Sequence, residues 1–252
     1  MANKALYHYV LGLGDSSLIL GQRLSEWLGH APALELDIAA SNLSLDLIGA
    51  AQLYLDYAAE LSADARDADH LAFHRDVLDF RNHLLLEQPN KDWGRTIVRL
   101  YLWSVFMDLY LAQLAKSKDA TIAAIAAKSA KEVAYHRRFS TEWMFRLGDG
   151  TLESKGYVQR GLDDLWRYTG ELFVVSAEEQ ALIDAGIAVD AAALREDWDL
   201  AINEVLAETG LNRPDEPRTL VVGRYDGYHS EHLGHLLAEM QFLPRSYPEA
   251  SW

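Results

Sequence analysis

Between about Asp92 and Lys116 the sequence is apolar nearly all the way round a helix. A helix without a polar face must be covered on every side, so this segment is the centre of a helical core. Its most apolar part, Val98 to Ala115, carries Arg99 and Asp108, and so it reads as a buried helix rather than a membrane span. Helical periodicity dominates the rest of the chain. Only Thr219–Gly223 has strand-like composition, and it is too short and isolated to seed a sheet.

The other elements follow from caps, breaks and stripes. Asp15 lies in a Gly-rich break and is placed to cap a first helix from about Ser16 to Leu28. Gly29-His30-Ala31-Pro32 makes a short connection to a long helix from about Ala33 to Leu61. Its stripe of Leu34, Ile38, Leu45, Ile48, Gln52 and Leu55 is expected to face the core. A shorter, polar helix is expected from Arg66 to Phe80, and Glu87-Gln88-Pro89-Asn90 reads as a turn. After the central helix, a fourth runs from about Asp119 to Leu147 and stops at Gly148. Its stripe of Ile122, Ile125, Ser129, Val133, His136, Ser140, Trp143 and Leu147 puts His136 on the core face. Further helices are expected near 155–173, 176–186, 190–209 and 228–243. The expected fold is all-α: one domain over 1–252, an antiparallel four-helix bundle at about 16–148 with a helical C-terminal extension at about 151–252.

Composition narrows the chemistry. The 252 residues include no cysteine, which excludes disulfides, thiolate metal sites, iron–sulfur ligation and thiol catalysis. The formal charge of −15 makes the chain a poor partner for nucleic acid or an anionic membrane. That charge is uneven: residues 1–60 sum to −5, 61–180 to −2 and 181–252 to −8. The near-neutral middle is where a buried or partner-covered surface is expected. The N-terminal run lacks a signal-peptide pattern, and the chain reads as cytoplasmic.

A long bundle bearing His and carboxylates invites a test for a di-iron site. Such sites take one Glu from each of two helices and a Glu-x-x-His pair from each of the other two, because three residues return a ligand to the same face. No Glu in this chain has His three residues later. Remnants stand in the expected places. Asp46 is followed at three by Gly49, Asp108 sits among apolar residues and is expected to be buried, and Glu132 is followed by Tyr135 and His136. Gln22 or Glu26 is what the first helix offers. One reading is a metal site with altered ligands; the other, favoured here, is a dead site whose polar groups bond one another, with His136 as a partner for a buried carboxylate.

Other clusters weigh less. Asp67, His70 and His74 lie on one face of a polar helix, and His229, His232 and His235 with Glu231 make a stripe on the last one. Exposure, capping and ion pairs are the ordinary roles for both, with metal the less expected. Lys128, Lys131, Arg137, Arg138 and Arg146 form a basic patch on the fourth helix, suited to ligand phosphates or an acidic partner and equally to a solvated face. There is no Gly-x-Ser-x-Gly elbow, and Gly12-x-Gly14 lacks the strand–turn–helix context of a dinucleotide loop.

A combination of short runs is more specific than any of these. Gly14-Asp15, Gln22-Arg23-Leu24, Glu26-Trp27, Gly29-His30-Ala31-Pro32, Glu35, Asp37, Asn42 and Leu45-Asp46-Leu47 open it. Glu87-Gln88-Pro89-Asn90, Lys131-Glu132, Tyr135-His136, His229-x-Glu231-His232-Leu233-Gly234 and Leu237-Ala238-Glu239-Met240-Gln241 continue it. Over nearly its whole length the chain resembles the non-catalytic, ferritin-like subunits of bacterial ring-1,2-phenylacetyl-CoA epoxidase (phenylacetate-CoA oxygenase). The resemblance implies a catalytically silent scaffold in aerobic phenylacetate breakdown, with no cofactor of its own. It implies a homologous catalytic di-iron subunit as partner, a small bridging subunit, and a reductase that carries FAD and an iron–sulfur cluster and draws on NADPH. Standing alone, such a chain could pair with a second copy of itself. It also implies that Asp46, Gly49, Asp108, Glu132, Tyr135 and His136 are vestigial di-iron positions, with Lys128, Lys131, Arg137 and Arg138 as candidate ligand or partner contacts. The competing reading is a free-standing di-metal oxidase or ferroxidase with atypical ligands.

Overall fold

Two helices that begin at Ala2 and Leu34 set up the first part of the fold. A computed structural model describes residues 2–62, 66–248 and 250. The fold is an all-α, ferritin-like helical bundle, with no strand among the described residues. Two compact units divide the chain, one of Met1–Pro89 with Gly223–Trp252, the other of Asn90–Val222.

In the first unit, α1 (Ala2–Ser25) and α2 (Leu34–Leu61) form an antiparallel pair. The pairing depends on small residues. A Cβ on Gly14 would stand 2.9 Å from the Leu55 side chain, and one on Gly21 would stand 3.0 Å from Ile48. Gly14 is therefore a packing residue, not a helix breaker, and α1 starts well before the expected Ser16. Asp15 caps nothing. It lies inside α1, fully buried, with both carboxylate oxygens facing Arg75 and one also accepting the Arg81 N–H at 2.9 Å.

The expected stripe on α2 holds only toward its C-terminal end, where Leu55 is buried and Ile48 packs against Gly21. Leu36, Ala40, Leu43, Leu47, Ala51, Tyr54 and Leu55 are buried, whereas Leu34, Ile38 and Leu45 are 73%, 54% and 66% exposed. Both faces of α2 carry apolar residues, and the glycines of α1 permit the close approach.

The polar helix expected over 66–80 is broken. It consists of α3 (Ala68–Phe73), capped by Asp67, and a 3-10 turn at Val77–Asp79. Arg75 sits between them, its Nε donating to Leu71 O at 2.5 Å and its Nη1 to Asp79 O at 3.0 Å. One buried guanidinium thus bonds a carbonyl of each piece. Next comes α4 (Leu84–Glu87), wholly buried, so Glu87-Gln88 is an interior corner rather than a surface turn.

The C-terminal segment closes this unit. Its helices are α10 (Glu231–Met240) and α11 (Phe242–Ser246), shorter than the expected 228–243 element and split at Gln241. Gly227 has φ +71, and a Cβ there would stand 2.5 Å from Leu78 O, so only glycine lets the chain pass.

The second unit is built on α5 (Trp93–Leu114), capped by Asp92, and α6 (Ala120–Gly148), capped by Asp119. Each cap is worth about 1 kcal/mol. The α5 segment is long and apolar enough to cross a membrane, and 78% of its apolar window is buried inside the protein. Ser104 pairs with Ser140 at 3.0 Å and Asp108 with Arg137 at 2.5 Å, which sets α5 and α6 antiparallel. On α6 the expected stripe is buried from Ile122 to Ser140; beyond it Met144 and Gly148 take over from the half-buried Trp143 and Leu147.

The element expected over 155–173 is α7 (Leu152–Leu165) followed by a 3-10 stretch at Trp166–Phe173. α8 (Ala177–Asp184) starts in a Ser176–Glu179 capping box. α9 (Arg195–Thr209) follows a 3-10 turn at Ala192–Leu194. From α9, Trp198 Nε1 donates to Leu102 O at 3.0 Å. In return the Tyr101 hydroxyl donates to Ala201 O at 3.1 Å, and burial holds that phenol well above its ordinary pKa.

Candidate functional site

The positions singled out in the sequence fall into both units. In the first, Asp46 and Gly49 are half-buried on α2, and no atom outside the helix comes within 4 Å of where a Gly49 Cβ would be. In the second, Asp108 is not buried as expected. Its side chain is 31% exposed, because it reaches outward to the Arg137 guanidinium, itself 37% exposed. Arg137, a candidate ligand or partner contact, is the counter-ion of Asp108. Three residues along α6 from half-buried Glu132, Tyr135 is 39% exposed, with the Arg138 guanidinium 5.4 Å from its ring centre. His136 is 2% exposed, on the core face as its spacing predicts. Lys128, Lys131, Arg138 and Arg146 are exposed. Among the described residues, no three His, Asp or Glu side chains are grouped to hold a metal ion.

The histidine clusters part ways. His70 and His74 stack at 5.2 Å beside a groove of about 600 Å³ also lined by Phe73, Glu239, Leu243 and Tyr247. The expected His229–His232–His235 stripe does not exist, because α10 starts only at Glu231. His235 is exposed and His232 half-buried, while the His229 side chain points inward against a carboxylate that sequence reasoning places in a turn.

That carboxylate is Glu87, fully buried. Its Oε1 accepts the Ser230 N–H at 2.6 Å, and its Oε2 accepts from Asn82 Nδ2 at 3.0 Å. His229 Nδ1 lies 2.8 Å from Oε2, and its Nε2 lies 3.0 Å from Phe80 O. A carbonyl only accepts, so Nε2 carries a proton, and Nδ1 shares a second one with Glu87. Below it, Arg23 donates from Nε and Nη2 to Glu87 O and from Nη2 to His232 O. A buried carboxylate, an imidazole and an arginine thus tie the C-terminal segment to α1 and α4. The signal in the sequence is an acid ending the apolar run Leu84-Leu85-Leu86; its partner, 142 residues away, has none.

A second histidine strengthens this junction. Arg224 Nη1 lies 2.8 Å from His83 Nε2, and Ser16 Oγ lies 3.1 Å from His83 Nδ1. An arginine only donates, so Nε2 accepts and Nδ1–H donates to the serine. Burial, and then the Arg224 charge, hold His83 well below the usual imidazole pKa. The unfolded chain therefore takes up a proton below about pH 6.5 that the folded chain refuses, so stability is full above that pH and declines as pH falls. Urea unfolding at a series of pH values is expected to show a loss approaching about 1.4 kcal/mol per pH unit from this group. His83→Gln is expected to flatten that slope; an unchanged slope would place the titration elsewhere.

With this geometry in view, comparison with known proteins adds the family. A family model described as phenylacetic acid catabolic protein matches residues 1–252. The chain belongs to that family. A relative from Escherichia coli (strain K12), one of the component chains of 1,2-phenylacetyl-CoA epoxidase, is 46% identical over 244 residues, covering 97% of this chain and 98% of that protein.

Proposed function

We propose that this chain is the structural, catalytically silent subunit of a cytoplasmic, multicomponent phenylacetyl-CoA epoxidase, scaffolding a homologous di-iron subunit in aerobic phenylacetate catabolism. The identity to an epoxidase subunit over almost the whole chain supports the assembly. The observation that carries the silent role is the Asp108–Arg137 pair. A carboxylate that serves a metal takes its positive charge from the ion, whereas here a guanidinium supplies that charge. Gly49 offers no ligand three residues after Asp46, Tyr135 is 39% exposed, and no Glu-x-x-His pair exists. The residues present do not fit a carboxylate-bridged di-iron centre, and no catalytic step is assigned to them. In this reading iron belongs to the partner subunit, FAD, the iron–sulfur cluster and NADPH belong to the reductase, and a small subunit bridges the oxygenase pairs. The free-standing oxidase reading would require Asp108 to leave Arg137.

Metal content and turnover of phenylacetyl-CoA, measured on the chain alone and after co-expression with the catalytic subunit, test the proposal. The expected result is negligible iron and no epoxidation by the chain alone, with co-elution and activity in the pair. Near-stoichiometric iron in the isolated chain, together with oxygen chemistry lost on Asp108→Ala, would overturn it.

A further inference from the structure

The N-terminal part of the α2 stripe that sequence periodicity assigns to the core is open to solvent, and its composition says what covers it. Leu34, Ile38 and Leu45 project from one side of the helix over about 16 Å, taking a rise of about 1.5 Å per residue. Asn42 and Gln52 are exposed on the same side, and Gly49 leaves open space beside them. Three large aliphatic side chains at more than half exposure on one face, spaced four and seven residues apart, make an unpartnered helix-packing seam.

Charge selects the occupant. The α2 segment holds Glu35, Asp37, Asp46, Asp56 and Glu60 and no Lys or Arg. Glu35, Asp56 and Glu60 are exposed, so the exposed charges that α2 itself presents beside the apolar seam are all acidic. Two copies of this face brought together would set like charges against one another while burying the leucines, which costs affinity and opposes a symmetric dimer. A helix with an apolar stripe and a Lys/Arg border fits both parts of the surface.

We infer that the Leu34–Ile38–Leu45 face of α2 is a docking surface for a basic-bordered amphipathic helix of a different subunit. The inference rests on the reading of this chain as part of an epoxidase assembly and adds where the partner sits and what chemistry it presents. In that assembly the homologous catalytic subunit is the partner to probe. Because the seam is solvent-exposed, charge placed there leaves the isolated fold intact while blocking the complex.

The test co-expresses the chain with the catalytic subunit and compares wild type, Ile38→Glu, Leu45→Glu and the border variant Glu35→Lys/Asp56→Lys by size exclusion and titration calorimetry. Thermal melts of each chain alone serve as the folding control. Expected results are unchanged melts, at least a hundredfold weaker pairing for Leu45→Glu and Ile38→Glu, and weaker pairing with a reduced salt dependence for the border variant. Wild-type pairing retained in both seam variants overturns the docking surface while leaving the assembly reading standing. A wild-type chain that never pairs overturns both. A homodimer of the chain alone that Leu45→Glu dissociates makes a second copy the occupant and overturns the heterologous partner.

Discussion

Arg75→Ala is expected to destabilise the protein by about 3–5 kcal/mol, the range for removing one partner of a buried ion pair. Asp15 is fully buried and Arg75 4% exposed. The guanidinium meets the carboxylate with two nitrogens and also lies 4.2 Å over the Phe80 ring. Truncation strands a charge that the Arg81 amide alone cannot satisfy, and it frees the break between α3 and the 3-10 turn. The check is the urea midpoint, with the slope of the transition confirming a two-state comparison. Replacing both partners by apolar residues, Asp15→Leu with Arg75→Met, is expected to recover most of the loss, because the pair's desolvation cost disappears with it. A single variant as stable as wild type would show that Asp15 needs no counter-ion.

His229→Ala is expected to act on the same scale, about 3 kcal/mol or more, and to do so locally. Glu87 would keep Asn82 and the Ser230 amide but lose its imidazole, and Phe80 O would lose its donor. The segment from Gly223 onward then loses its anchor on α4. Hydrogen exchange should report faster exchange for the amides of α10 than for those of α1, with the urea midpoint falling as well. His235→Ala supplies the control, since that side chain is exposed on the same helix and its loss is expected to stay within about 0.5 kcal/mol. Equal effects of the two substitutions would refute the buried junction.

Much of the architecture can be read without the structure. An apolar run with no polar face identifies α5 as central, and Asp92 and Asp119 mark the starts of α5 and α6 because a short carboxylate reaches the free amides of a first turn. His136 falls inward by spacing alone. The missing Glu-x-x-His pairs are a statement about sequence that no coordinate alters, and the short runs that suggest the epoxidase family agree with the family found by comparison. Asp15 is misread from sequence because Gly12 and Gly14 resemble a break, when Gly14 serves to bring α1 against Leu55. Leu34, Ile38 and Leu45 of the α2 stripe are misassigned because both faces of that helix are apolar, and periodicity cannot say which one a neighbour covers.

Local chemistry in the sequence thus determined most of the long helices, that α5 is buried, and that cysteine ligation and Glu-x-x-His metal ligation are closed to this chain. These depend on residues within a turn or two of each other. Tertiary structure alone decided the partners of its charges: Asp15 with Arg75, Asp108 with Arg137, and Glu87 with His229, at separations of 60, 29 and 142 residues. Side chains so far apart carry no mutual periodicity, and a buried charge accepts whichever counter-ion the packing brings within reach. The reading of Asp108 as a silent position rests on such a pair.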